Sequence, residues 1–219
     1  MDRPVHGFSR PLVPCSRSEA GAAAFSRGHR YRWLLERHWD QGHQLPPQNE
    51  GAKQLIFCGL NPSNADAGSD DPTLRRLGSY ARAWGYRRLV VINLFALVTP
   101  SPASLRRHPR PVGAANDAVL VHWLRRWAHR PRWDLWLGWG ANGSLKGRDH
   151  WFLAQLHGLR DRRLAGGGAD AFCLGRTRAG HPRHPLYLPA SLRPQPWLAA
   201  EPPLIRHPES KVPASTVRP

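Results

Sequence analysis

The run Leu55-Ile56-Phe57-Cys58-Gly59-Leu60 ends abruptly in the polar turn Asn61-Pro62-Ser63-Asn64, and this join constrains the fold more than any other stretch of the chain. An unbroken apolar run of this length has no wet face, so it reads as a strand buried on both sides of a parallel sheet. Gly59 and Pro62 stop the strand and leave Asn61 at its carboxyl end, where open α/β sheets bind their ligands.

The arrangement recurs. Leu89 to Phe95 is a second β-branched run with Asn93 near its end, Asp134 to Gly140 a third that stops at glycines, and Ala171 to Gly175 a fourth. Between them lie helical patterns. Asp71 can cap a helix whose first turn takes Pro72 and whose apolar face is Leu74, Leu77, Ala81 and Trp84. Leu120, Leu124 and Trp127 mark another between Ala114 and Ala128, and Leu145, Phe152, Leu156 and Leu159 a third. Thr99 to Val112 reads as a long loop.

This alternation predicts a three-layer α/β/α fold with a mostly parallel four-stranded central sheet, helices covering both faces. Tyr31, Trp33 and Leu35 alternate with Arg32, Leu34 and Glu36, which predicts an N-terminal strand or hairpin ahead of the core, a short helix being the alternative. One domain is expected over residues 25–189. Residues 1–24 and the proline-rich 190–219 are expected to be disordered, with Trp197 and Leu198 able to dock on the core.

No apolar run approaches a membrane span, and the amino terminus lacks the layout of an export signal, so a cytoplasmic protein is expected. The cysteines are scattered without metal-site spacing, and Cys58 and Cys173 read as small core residues. Residues 25–190 carry 25 Lys and Arg against 11 Asp and Glu, so most of the formal charge of +17 belongs to the domain. Such a surface suits a polyanion, and DNA, single- or double-stranded, is the expected partner. GC-rich coding would produce the same excess of arginine. Neither a membrane nor an obligate protein partner is expected.

A P-loop, a Gly-x-Gly-x-x-Gly fingerprint and a Gly-x-Ser-x-Gly elbow are all missing from the sequence, which argues against nucleotide hydrolysis, dinucleotide redox chemistry and a serine hydrolase. No cofactor is expected, and His181 with His184 makes no convincing metal site. What remains at the strand ends is a set of amides, a histidine and nearby carboxylates. Asn93 can pair with the hydrogen-bonding edge of a base while Asn61 holds a water. His181 can stabilise negative charge on a leaving base, and Asp66, Asp70 or Asp71 can act as a base. Each has a plainer alternative: a turn for Asn61, a strand-end amide for Asn93, a surface loop for His181, a helix cap for Asp71. Trp84 or Trp139 can stack a base or simply fill the core.

Phe25 with Tyr31-Arg32, then Leu60-Asn61-Pro62-Ser63 with Ala65-Asp66, Asp71-Pro72-Thr73, Asn93-Leu94-Phe95, Trp139-Gly140, Gly180-His181-Pro182 and Pro185-Leu186-Tyr187 resemble an uncharacterised bacterial and phage domain family, over residues 25–189. More distantly, Gly59-Leu60-Asn61-Pro62, Asn93, Trp139-Gly140 and His181-Pro182 with Pro185-Leu186 resemble, in order, the motifs of the uracil-DNA glycosylase superfamily. That resemblance implies a metal-independent glycosylase fold and activity. Asn61 would position the attacking water, Asn93 would read the flipped base, His181 would stabilise the departing base anion, and Leu186 would wedge the duplex. Arg178 and Arg183 would contact phosphates. The superfamily's most active branch has Asp where this chain has Asn61, and its Ser is replaced by Arg183. No aromatic follows Asn61-Pro62, so Phe95 or Phe57 would have to wall the pocket. A non-catalytic nucleic-acid-binding module and an enzyme of free nucleosides are the alternatives.

Overall fold

The computed structural model describes residues 15–18, 21–39, 52–63 and 65–198. Its strands are β1 (Cys15–Ser18), β2 (Gly21–Phe25), β3 (Arg32–His38), β4 (Gln54–Gly59), β5 (Arg88–Asn93), β6 (Trp133–Leu137), β7 (Phe172–Cys173) and β8 (Gln195–Pro196). The helices are α1 (Pro72–Ala83), α2 (Pro102–Arg107), α3 (Asn116–His129) and α4 (Arg148–Ala165). No helix among the described residues is long and apolar enough to cross a membrane.

The expected four-stranded, mostly parallel sheet is instead an eight-stranded mixed one, ordered β1-β2-β3-β5-β4-β6-β7-β8. Parallel pairings join β5 to β4, β4 to β6 and β6 to β7, whereas β1-β2, β2-β3, β3-β5 and β7-β8 are antiparallel. The sheet therefore reaches back to Cys15, ahead of residue 25 where the sequence put the start of the domain. Past residue 189, β8 pairs with β7 and Trp197 is buried, its N–H donating to Ala171 O at 2.7 Å. Residues 1–14 and 199–219, expected to be disordered, lie outside the described residues.

Strand alternation divides the core. Leu55 and Phe57 of β4, Leu89 and Val91 of β5 and Trp136 of β6 pack with Leu74, Leu77, Tyr80 and Ala81 of α1. Ile56 and Cys58, Val90 and Ile92, and Leu135 and Leu137 pack with the apolar faces of α3 and α4 on the opposite side. Both faces of β4 are thus dry, which is why its sequence shows no polar alternation. Each fully buried leucine here is worth about 1.5–3 kcal/mol.

Helix α1 starts as its sequence predicts. Asp71 is the N-cap, its Oδ1 accepting Leu74 N–H at 2.7 Å, and Pro72 occupies the first helical position. The stretch expected to be a long loop holds the short helix α2, capped by Ser101 and begun by Pro102.

Candidate functional site

The carboxyl ends of β4, β5 and β6 lie side by side, and glycines open the space between them. Gly59 pairs with Asn93 in the β4–β5 register, so their side-chain directions share the α1 face of the sheet. A Cβ on Gly59 would lie 2.8 Å from Asn93 Oδ1 and 3.0 Å from the Phe57 ring. A Cβ on Gly138 would lie 2.5 Å from the same ring and 3.3 Å from Pro185 Cδ. Phe57 therefore lies across both strand ends, and the hydrogen atoms of Gly59 and Gly138 are what make room for it.

Asn93 is only 5% exposed, yet its side-chain amide makes no hydrogen bond among the described residues. Its backbone is held separately: Asn116 Nδ2 donates to Asn93 O at 3.0 Å and Leu94 O at 3.1 Å. Asn61 is half-buried and behaves differently. Its Nδ2 donates to Thr99 O at 2.6 Å and to Pro62 O at 3.0 Å, stapling the turn after β4 to the chain after β5. Those bonds fix the amide and engage none of the lone pairs of Oδ1.

His181, in the loop after β7, has its Nδ1 3.5 Å from Asp149 Oδ2. Asp149 is buried in the first turn of α4, and its Oδ1 accepts the backbone N–H of His150 at 2.8 Å. The loop that carries His181 is folded on itself, Thr177 N–H donating to His181 O and His181 N–H to Thr177 Oγ1. Next to Asp149, the buried Arg148 donates to Leu94 O and to Asp117, so one turn of α4 touches both the end of β5 and the His181 loop.

A second histidine borders the crevice. His184 Cβ would lie 3.6 Å from a Cβ on Gly140, and its Nδ1 accepts Leu186 N–H at 3.3 Å. Burial pushes its imidazole below the ordinary histidine range, partly opposed by the negative charge of Asp71. Asp71 in turn accepts a hydrogen bond from Ser63 Oγ.

Other sequence-predicted residues fall elsewhere. Asp66 is exposed, and its Oδ1 accepts the N–H groups of Gly68 and Ser69, the pattern of an Asx turn. Phe95 and Trp139, expected against a base, are core residues of the α3–α4 face: Phe95 is fully buried and Trp139 packs edge-on to Phe152 and Trp197. Arg178 and Arg183 are exposed on the loop. Leu186 is half-buried, and it is Tyr187, 83% exposed, that projects from this loop.

Asp149 and Arg148 are not singled out by sequence, and Arg32 and Tyr187 stand there only as motif residues without a role. Asp149 left one trace, an acidic residue just after Gly147 at the start of a helical pattern. Its partner His181 is 32 positions away, and only the fold joins them.

No curated protein and no solved structure matches the chain significantly. A family model does, over residues 32–186, which takes in β3, the crevice and the His181 loop. The chain belongs to the family described as protein of unknown function DUF1643.

Proposed function

We propose that the crevice at the ends of β4 and β5 binds a nucleobase and that the protein hydrolyses an N-glycosidic bond, with DNA as the substrate. The observation that carries this reading is the Asn93 amide, at a strand end only 5% exposed beside Gly59 and with no side-chain hydrogen bond to another described residue. An amide held at such a strand end, its donor and acceptor not engaged by another described residue, is available to a ligand's complementary donor and acceptor. The lactam edge of a pyrimidine or an oxidised purine offers that pair.

In the reaction, water oxygen bonds to C1′ of the sugar as the bond from C1′ to the base nitrogen breaks. One water proton ends on the base and the other stays on the new hydroxyl. Asn61 Oδ1 holds the water, its amide already fixed through Nδ2 by Thr99 O and Pro62 O. His181 faces the developing negative charge on the base, with Asp149 orienting its Nδ1 side. Exposed Arg178 and Arg183 supply phosphate contacts, and Leu186 or the projecting Tyr187 fills the gap left by the extruded base. The resemblance to uracil-DNA glycosylases at Asn61, Asn93 and His181 supports the same assignment.

A binding module without catalysis is the second reading, and Asp66 favours it: the carboxylate expected to act as a base is occupied by turn amides. The test is alkali-induced strand cleavage of oligonucleotides carrying uracil, hypoxanthine, xanthine or mismatched thymine. Cleavage that is lost in both Asn61→Ala and His181→Ala establishes the hydrolase. Salt-sensitive binding with no cleavage of any of these substrates establishes the binding module, and salt-independent binding of free nucleosides points to the third class.

A further inference from the structure

Four arginines are buried among the described residues: Arg32, Arg37, Arg148 and Arg163. Three are neutralised at contact distance, Arg37 by Asp70 at 2.7 Å, Arg148 by Asp117 at 2.7 Å and Arg163 by Asp134 at 3.1 Å. Arg32 is not. Its guanidinium has no carboxylate within ion-pair distance among the described residues, and it makes one hydrogen bond, from Nη1 to Ala65 O at 2.6 Å. Its Nε is buried with no acceptor.

Arg37, five positions along the same strand, shows what a satisfied guanidinium looks like here. It donates to Glu36 O, Asp66 O, Ser69 O and Asp70, tying the loop before α1 to β3. A guanidinium offers five N–H donors and cannot shed its charge within the physiological range. Leaving one buried and mostly unbonded costs several kcal/mol unless something else completes its shell.

The position of Arg32 says what completes it. Its backbone N–H donates to Ala96 O, three residues beyond Asn93, and its side chain reaches Ala65, four residues beyond Asn61. Asp71, the strongest acidic influence on Arg32, also acts on His184. His184 and Pro185 adjoin the glycines beside Phe57. The guanidinium therefore sits at the same end of the sheet as the amide of Asn93, on the α1 side.

We infer that Arg32 is the receptor for a phosphate group of the ligand, so that the crevice takes a nucleotide or nucleic-acid strand and not a free base or nucleoside. The inference rests on the nucleobase reading for the rest of the ligand, but on a separate group. Burial also pulls the Arg32 guanidinium down to about 10, partly resisted by Asp71, as expected of a cation waiting for an anion. A phosphate oxyanion pairs with two parallel N–H groups of an arginine, which gives geometry as well as charge.

The experiment compares uridine, uridine 5′-monophosphate, a short uracil-containing oligonucleotide and pyrophosphate by calorimetry on the full chain, in wild type, Arg32→Gln, Arg32→Met and Asn93→Ala. In wild type the monophosphate or the oligonucleotide should bind at least tenfold more tightly than uridine. Arg32→Gln and Arg32→Met should erase that difference and leave uridine binding unchanged, while Asn93→Ala should weaken every base-containing ligand alike. Arg32→Met carries the fold control, because an apolar isostere of an unpaired buried cation should melt at or above the wild-type temperature.

If no base-containing ligand binds but pyrophosphate does, and only when Arg32 is present, the nucleobase reading falls and the phosphate site stands. A phosphate-dependent gain that survives in both Arg32 variants overturns the inference. So does equal affinity for uridine and the phosphate-bearing ligands, or silence in every arm.

Discussion

Gly59 and Asn93 face each other across the parallel β4–β5 pairing, close enough that a methyl group on Gly59 would press on Asn93 Oδ1 at 2.8 Å. The glycine is what allows a polar amide to occupy a buried strand end. Gly59→Ala should therefore act as a mutation of Asn93. Affinity for a uracil-containing oligonucleotide should fall at least tenfold, with a stability loss of about 1–3 kcal/mol from overpacking. Gly68→Ala, where a Cβ would meet nothing within 4 Å, is the matched control. Unchanged affinity in Gly59→Ala would remove Asn93 from the binding site.

Asp71 joins two tasks, capping α1 and accepting the Ser63 hydroxyl. Asp71→Ala should lower stability by about 1–2 kcal/mol in urea denaturation, the cost of a lost cap with one further bond. Asp71→Asn keeps an acceptor and should lose less than half as much. An Asn variant as damaging as Ala would show that the charge of Asp71, and not the cap, is what α1 depends on.

Much of this arrangement was legible in the sequence wherever a local signal and the tertiary demand agree. The dry run of β4, the Asp71-Pro72 start of α1 and the amides at two strand ends all emerge from short stretches. The hairpin of β1 and β2 did not, because Gly21-Ala22-Ala23-Ala24 lacks the β-branched residues that mark strands; pairing with β3 overrides that weak propensity. Phe95 and Trp139 were misplaced for another reason. They follow strand ends, which suggested the crevice, but the chain turns there and sends both rings into the α3–α4 core. Asp66 was claimed by its own turn amides, and the Asp149–His181 pair has no local signature.

Arg163 should be the most costly arginine to lose for folding alone. Its side chain is fully buried and donates to Trp127 O and Arg130 O at the end of α3, to Ala169 O, and to Asp134 at the start of β6. It is therefore the cap of one helix and the clasp of the connection after α4. Arg163→Ala should cost about 3–5 kcal/mol, the range for removing one partner of a buried ion pair, with orphaned carbonyls adding to it. Chemical denaturation measures this, and a loss below 1 kcal/mol would mean that water replaces the guanidinium without penalty.

His184 gives the fold a predictable response to acid. Burial holds its imidazole below the ordinary value, with Asp71 working in the opposite direction. The unfolded chain therefore binds the proton more readily than the folded one. Stability from the neutral form is fully present above about pH 6.5, the unfolded value, and is lost as pH falls through the lower folded one. His122 shifts the same way through burial and its neighbours Arg126 and Arg125, so wild type alone does not isolate the effect. His184→Asn does, because an Asn side chain can accept the Leu186 N–H that His184 Nδ1 accepts, while removing the titration. Melting temperatures measured between pH 7.5 and 5 should fall less steeply in His184→Asn than in wild type. Parallel curves would show that His184 is solvated enough to titrate alike in the folded and unfolded chain.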